Sequence, residues 1–208
     1  MKTALIVTSS ANGDASVSNS LAATLVDRLR DVEPGLSVIL RDVGANPVPH
    51  LTADTVAAIK GTPESGSELA ARELSDALVA ELAQADLLVI ASPMYNFGMS
   101  STLKSWFDHV VRVGVTVRYG ENGPEGLMTG KKAVVIESRG GVYSEGPGAA
   151  LDGQEAHIRT LLGFIGITDL TFVRAEKLGY GPEAAEAAIA EAGEALGLFA
   201  RDELALAA

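Results

Sequence analysis

The sequence predicts an α/β protein built on a doubly wound, five-stranded parallel sheet, in the order 2-1-3-4-5, with helices on both faces. Short apolar runs alternate with helix-periodic stretches five times along the 208 residues, the pattern produced by right-handed strand-helix-strand crossovers. The apolar runs are continuous instead of alternating, as in strands covered on both faces. Five repeats fit this smaller order better than a six-stranded sheet, and the length fits one domain spanning residues 1–208.

Ala4 to Val7 is the first strand, and Ser16 to Arg30 the first helix, with Leu21, Leu25 and Leu29 stacked on one face at intervals of four. Ser16, Ser18 or Asn19 can cap it. Val38 to Leu40 follows as the second strand, after which Pro47 and Pro49 exclude regular helix. A short helix is expected over 51–60, and a longer one from Ser67 to Gln84 with Leu69, Leu74, Leu78 and Leu82 along its apolar side. Leu87 to Ala91 reads as the central strand, and Leu103 to Val113 as its following helix. Residues 114–130 carry five glycines and a proline between them with neither period, and read as an irregular excursion. Ala133 to Ile136 is the fourth strand, 149–163 a crossover helix, Leu170 to Val173 the fifth strand, and Pro182 opens a last helix to about Leu198.

Sixteen basic against 27 acidic residues give a net charge of −11, which repels a nucleic-acid backbone. The absence of cysteine excludes disulfides, thiolate nucleophiles and cysteine-ligated metal, so redox work falls to a bound cofactor. The apolar run in MKTALIVTSS is too short for a signal peptide, and later runs fall short of the roughly 18 residues of a membrane span. A cytoplasmic location is the expectation, with no membrane and no nucleic-acid partner.

In a doubly wound sheet, ligand loops gather beyond the carboxyl ends of the strands. The loop after strand one, SSANGDASVS, brings hydroxyls and unpaired amides to a helix amino end, where they can grasp a phosphate without a lysine. It contains neither G-x-G-x-x-G nor G-x-x-x-x-G-K-[ST], so the usual signatures of dinucleotide clamping and nucleoside triphosphate hydrolysis are missing. After strand three, SPMYNFGMS offers polar amides and aromatic rings to a heteroaromatic ligand. After strand four, ESRGGVY places two glycines where side chains would obstruct a planar group, with Arg139 as a fixed charge. Each loop alone is equally consistent with capping, core packing or a simple turn. Their convergence on one rim favours a ligand.

Over nearly its full length, including SPMYNFGMSSTLKSWFDHV, YGENGPEGLMTGKKAVVIESRGG and LGFIGITD, the chain resembles the FMN-dependent NADH:quinone oxidoreductases known as azoreductases, of the flavodoxin-like superfamily. The resemblance implies non-covalent FMN, with Ser10, Ser16, Val17 and Ser18 around its phosphate. Met94, Tyr95, Asn96, Phe97, Ser138, Arg139, Gly140 and Gly141 would frame its isoalloxazine. It further implies NADH as donor, quinones or aromatic azo compounds as acceptors in a ping-pong exchange, and a homodimer with each site completed across the interface. Tyr119 and Phe164 are candidates for a substrate wall reaching across that dimer.

No protein side chain is expected to act as a nucleophile or proton-transfer catalyst, because the cofactor supplies the reactive centre. His50, His109 and His157 are read as structural or surface residues, and Trp106 and Phe107 as core or interface. No metal-ligand spacing occurs. The alternative is a flavodoxin-like electron carrier whose acidic surface serves a protein partner. Steady quinone-dependent NADH consumption separates the two.

Overall fold

The computed structural model describes residues 2–205. Its main sheet has five parallel strands, β1 (Thr3–Thr8), β2 (Ser37–Asp42), β3 (Leu87–Pro93), β6 (Lys132–Ser138) and β7 (Asp169–Ala175), in the order β2-β1-β3-β6-β7. These five are the strands expected from the sequence, in the expected order. The helices are α1 (Val17–Val32), α2 (Ala53–Lys60), α3 (Gly66–Gln84), α4 (Ser101–Val110), α5 (Glu155–Phe164) and α6 (Pro182–Ala205).

β1 and β3 are buried along their whole length, which is why their sequences run apolar without alternation. Two clusters cover the two faces. Leu5, Leu88, Ile90 and Val135 pack against Leu78 and Leu82 of α3, Trp106 and Phe107 of α4, and Ile158 and Leu162 of α5. Ala4, Ile6, Val89 and Val134 pack on Leu21 and Leu25 of α1 and Leu196 of α6. Trp106 and Phe107 are fully buried and meet edge to face at 5.0 Å, so both are core residues.

Five elements differ from expectation. Residues 114–130 contain an antiparallel hairpin, β4 (Val117–Gly120) with β5 (Gly123–Gly126). The second arm reads GPEG and carries no apolar alternation to announce a strand. The helix expected over 149–163 is broken into a 3-10 turn at 146–151 and α5, because the Asp152 carboxylate accepts from the amides of Gln154 and Glu155 and starts the chain afresh. Helix α4 stops at Val110, where Thr116 accepts from the Arg112 amide and donates to the Val110 carbonyl. Helix α6 continues past Leu198 to Ala205. α3 starts one residue early, behind a capping box formed by Ser65 and Glu68, and its Leu69 stays exposed. Among the described residues no helix is long and apolar enough to cross a membrane.

Candidate functional site

The carboxyl ends of β1, β3 and β6 lie side by side, with Thr8 opposite Ala91 and Pro93 opposite Ser138, so the loops that follow them share one rim. In the first loop, Ser16 caps α1: its hydroxyl accepts from the Asn19 amide at 3.2 Å and lies 3.2 Å from the Ser18 hydroxyl. Both serines are buried, and the amides of Val17 and Ser18 occupy the first turn, where no intrahelical acceptor exists. Hydroxyls, free amides and the positive end of the helix dipole coincide here, an arrangement with the chemistry to hold an anion. Val17 itself is half-buried against the α1 and α6 cluster.

The second loop is a tight turn. Tyr95 and Gly98 exchange backbone hydrogen bonds of 2.9 and 3.1 Å, and Asn96 and Phe97 between them both have positive φ, 48° and 70°. That is the pattern of a type I′ turn made with two side-chain-bearing residues, a conformation that costs of order 1–3 kcal/mol per residue and persists only where the surroundings enforce it. The turn leaves Asn96 and Phe97 exposed and Met94 and Tyr95 half-buried. Tyr95 reaches the first loop, its phenol oxygen accepting from the Ala11 amide at 3.0 Å and lying 3.4 Å from the Ser10 hydroxyl. The Met94 amide donates to the Ser138 carbonyl at 2.9 Å and so ties the second loop to the third. Ser10 is held from below as well: a Cβ at Gly44 would collide with its backbone carbonyl, which makes glycine necessary there. Nothing in the local sequence around Gly44 announces that contact.

In the third loop a Cβ on Gly140 would meet nothing within 4 Å, whereas one on Gly141 would press on the Tyr143 phenol, with its hydroxyl at 3.1 Å and its ring at 3.2 Å. Gly140 is exposed, and the space its side chain would occupy is open. Tyr143 meets Phe97 edge to face, with centroids 5.9 Å apart. Arg139 departs from the expected arrangement. Its side chain is fully buried and points to protein acids, pairing with Glu137 at 2.6 Å, Asp152 at 3.0 Å and Glu176 at 3.3 Å. Four groups around one guanidinium satisfy its planar fork, since Gln154 also accepts from Nε at 3.2 Å. The backbone of Arg139 borders the rim, while its charge serves the scaffold.

Burial, reinforced by Glu155 and Asp152 and opposed by Arg139, pushes the Glu137 carboxyl up to about 7. Burial also works against the Arg139 charge, but Glu137, Asp152 and Glu176 outweigh it and raise its pKa. Burial likewise works against Glu176, yet hydrogen bonds from Ser144 and the Tyr143 amide, with Arg139 beside them, hold its carboxyl below the ordinary value. Asp152, Gln154 and Glu176 escape the sequence reading, although Asp152-Gly153 is a turn dipeptide inside what reads as a helix.

Tyr119 is exposed on β4, and Phe164 is half-buried at the end of α5. The hairpin that carries Tyr119 meets the end of α5 through its other strand, because β5 at Gly126 approaches the backbone of Ile165 and Gly166 so closely that neither glycine leaves room for a side chain. His109 is buried with Nε2 donating to the Pro49 carbonyl at 3.0 Å, and burial lowers its pKa. His50 pairs with the Ser105 hydroxyl at 2.9 Å, and His157 is exposed on α5. Among the described residues no cluster of three or more His, Asp or Glu is placed to hold a metal ion.

A five-stranded doubly wound parallel sheet with three polar loops joined at the carboxyl rim has the architecture of a flavodoxin-type protein. The model of the family described as having a flavodoxin-like fold matches residues 2–198. An "FMN-dependent NADH:quinone oxidoreductase" of Hyphomonas neptunium is 56% identical over 91% of this chain and 91% of its own length. One of the same name from Ralstonia nicotianae is 47% identical over 90% and 92%. The crystal structure of an azoreductase from Bacillus anthracis superposes with a TM-score of 0.87 at 28% identity, covering 97% of this chain and 100% of that one. The chain belongs to the flavodoxin-like family and, within it, to the group of the FMN-dependent NADH:quinone oxidoreductases.

Proposed function

We propose that this chain is an FMN-dependent oxidoreductase that takes two electrons from NADH and passes them to quinones, and that it reductively cleaves aromatic azo compounds in the same site. The observation that carries the reading is the joining of three loops at one rim, through the contacts of Tyr95 with Ala11 and Ser10 and of Met94 with Ser138. It is supported by relatives and a structural neighbour named for these activities. The residues fit the cofactor: buried hydroxyls and free amides at a helix amino end suit a phosphate, and the rim at exposed Gly140 carries no side chain to obstruct a flat ring.

When bound, FMN would accept a hydride at N5 and return two electrons to the second substrate. Ser10, Ser16, Ser18 and the amides of Val17 and Ser18 would hold its phosphate. Met94, Tyr95, Asn96 and Phe97 on one side, and Ser138, Gly140, Gly141 and the Arg139 backbone on the other, would frame the ring non-covalently. The chain's main contribution is orientation, because a donor carbon held about 3 to 3.5 Å from its acceptor avoids the entropy of bringing two molecules together. Backbone amides of these loops, fixed by the turn at Asn96 and Phe97, would stabilise negative charge as it grows on the ring.

Phe97, Val113, Val115, Tyr119, Leu127 and Leu151 expose apolar surface on the rim loops, the hairpin and the turn beside it. Burying them between two copies would give a homodimer in which Tyr119 and Phe164 form a wall of the partner's site. NADH and the oxidant would use the same space in turn, a ping-pong exchange. Initial rates over a grid of NADH and quinone concentrations test this order. Parallel reciprocal plots are expected, and intersecting plots together with a productive ternary complex would overturn it.

A further inference from the structure

The buried guanidinium of Arg139 sits at the root of both aromatic walls. On one side, Asp152, Gly153 and Gln154 form a clamp of three consecutive residues. Asp152 pairs with Arg139 at 3.0 Å, and the Gly153 amide donates to the Phe97 carbonyl at 2.9 Å. Gln154 accepts from Arg139 through Oε1 while its Nε2 donates to the Ser92 carbonyl and hydroxyl, both at 2.9 Å, just ahead of the second loop. This clamp grips the left-handed turn at both its entry and its carbonyl at Phe97. On the other side, Glu176 pairs with Arg139 and accepts from the amides of Tyr143 and Ser144 at 2.7 and 3.0 Å and from the Ser144 hydroxyl. The two rings hung from these arms are the ones that meet edge to face at 5.9 Å.

We infer that Arg139, with Gln154, is a positioning residue of the ring site: it fixes the gap between the 94–97 and 140–143 loops by anchoring Phe97 through Asp152–Gln154 and Tyr143 through Glu176. A flat fork with five donors is needed to hold three carboxylates and an amide oxygen at once, and a lysine ammonium, with three donors at a single point, cannot span them. The inference rests on the proposed flavin site, and it assigns to Arg139 a role other than contact with the ring. Because Arg139 also pairs with the buried Glu137, complete removal of its charge would unbalance the core. Arg139→Lys keeps the charge and loses the fork.

The test is a double-mutant cycle between Arg139→Lys and Tyr143→Leu, read as dissociation constants for riboflavin and for FMN on the apoprotein. If Arg139 acts through the wall, each single change weakens riboflavin and FMN by similar factors, about tenfold, and the double variant is no weaker than the poorer single one. The NADH half-reaction in the reconstituted variants should lose rate at saturating NADH while its half-saturation concentration holds. Gln154→Met, which leaves every charge in place, should show the same non-additivity, and it decides the matter should Arg139→Lys fail to fold. Multiplying effects, or folded variants with unchanged riboflavin affinity, would overturn the positioning role while leaving the cofactor reading intact. Failure of the unaltered chain to bind either flavin would overturn both.

Discussion

Removing the Ser18 hydroxyl separates phosphate binding from helix capping, because Ser16 alone accepts the capping bond from Asn19 while both hydroxyls are buried at the same helix end. A hydrogen bond to a charged group contributes about 1.5–3 kcal/mol, so Ser18→Ala should weaken FMN roughly 10- to 150-fold. Riboflavin, which has no phosphate, should bind the variant as it binds the unaltered chain. Ser16→Ala should show the same discrimination and lose, in addition, about 1 kcal/mol of stability with its cap. Calorimetric titration of folded apoprotein with both flavins, beside thermal melts, measures these affinities and the stability. Equal losses for riboflavin and FMN, or an unchanged FMN affinity in Ser18→Ala, would refute the phosphate grip.

Gly140→Ala meets no protein atom within 4 Å, so its apoprotein should melt at or slightly above the unaltered temperature while its riboflavin affinity falls, and undiminished binding would remove Gly140 from the ring slot. Tyr119→Leu and Phe164→Leu keep apolar volume and lose a flat ring; kcat/KM for a bulky quinone should fall more than the rate of flavin reduction by NADH, with dimer mass and FMN content retained. Equal losses in both half-reactions would point to disturbed ring geometry instead. Glu137 titrates near 7 in the folded chain against an ordinary value of 4.5, so the native state holds a proton there that the unfolded chain has released. Its stabilising contribution, on the order of 3 kcal/mol, is full below about pH 4.5 and is lost as pH rises through about 7. Glu137→Gln fixes the neutral state, and urea unfolding from about pH 5 to 8 should show a shallower decline in the variant than in the unaltered chain; identical slopes would contradict the elevated carboxyl.

The sheet was legible because its central strands are buried on both faces, so Leu87 to Ala91 and Ala133 to Ile136 had to be apolar without alternation. The hairpin escaped because Gly123 to Gly126 pairs through its backbone and buries no side chain deeply. The break at Asp152 escaped for a related reason: its cause is a carboxylate turned onto the next two amides, a local bond that helix periodicity does not register. At the rim, Ser16 was readable as the helix cap from its place before an amphipathic helix. The direction of Arg139 was not, since the acids that draw it inward, Asp152 and Glu176, come from the next loop and the end of the last strand. A lone basic residue in a ligand loop reads the same whether its charge faces outward or in, and only the fold decides.

The most direct test of the central claim is the visible spectrum of the purified chain, taken as isolated, after addition of NADH without oxygen, and again after addition of a quinone. An oxidised flavin spectrum at one FMN per chain is expected, released intact by acid, bleached by NADH and restored by the quinone. A chain that binds no FMN on reconstitution, or whose bound flavin NADH cannot reduce, would contradict it.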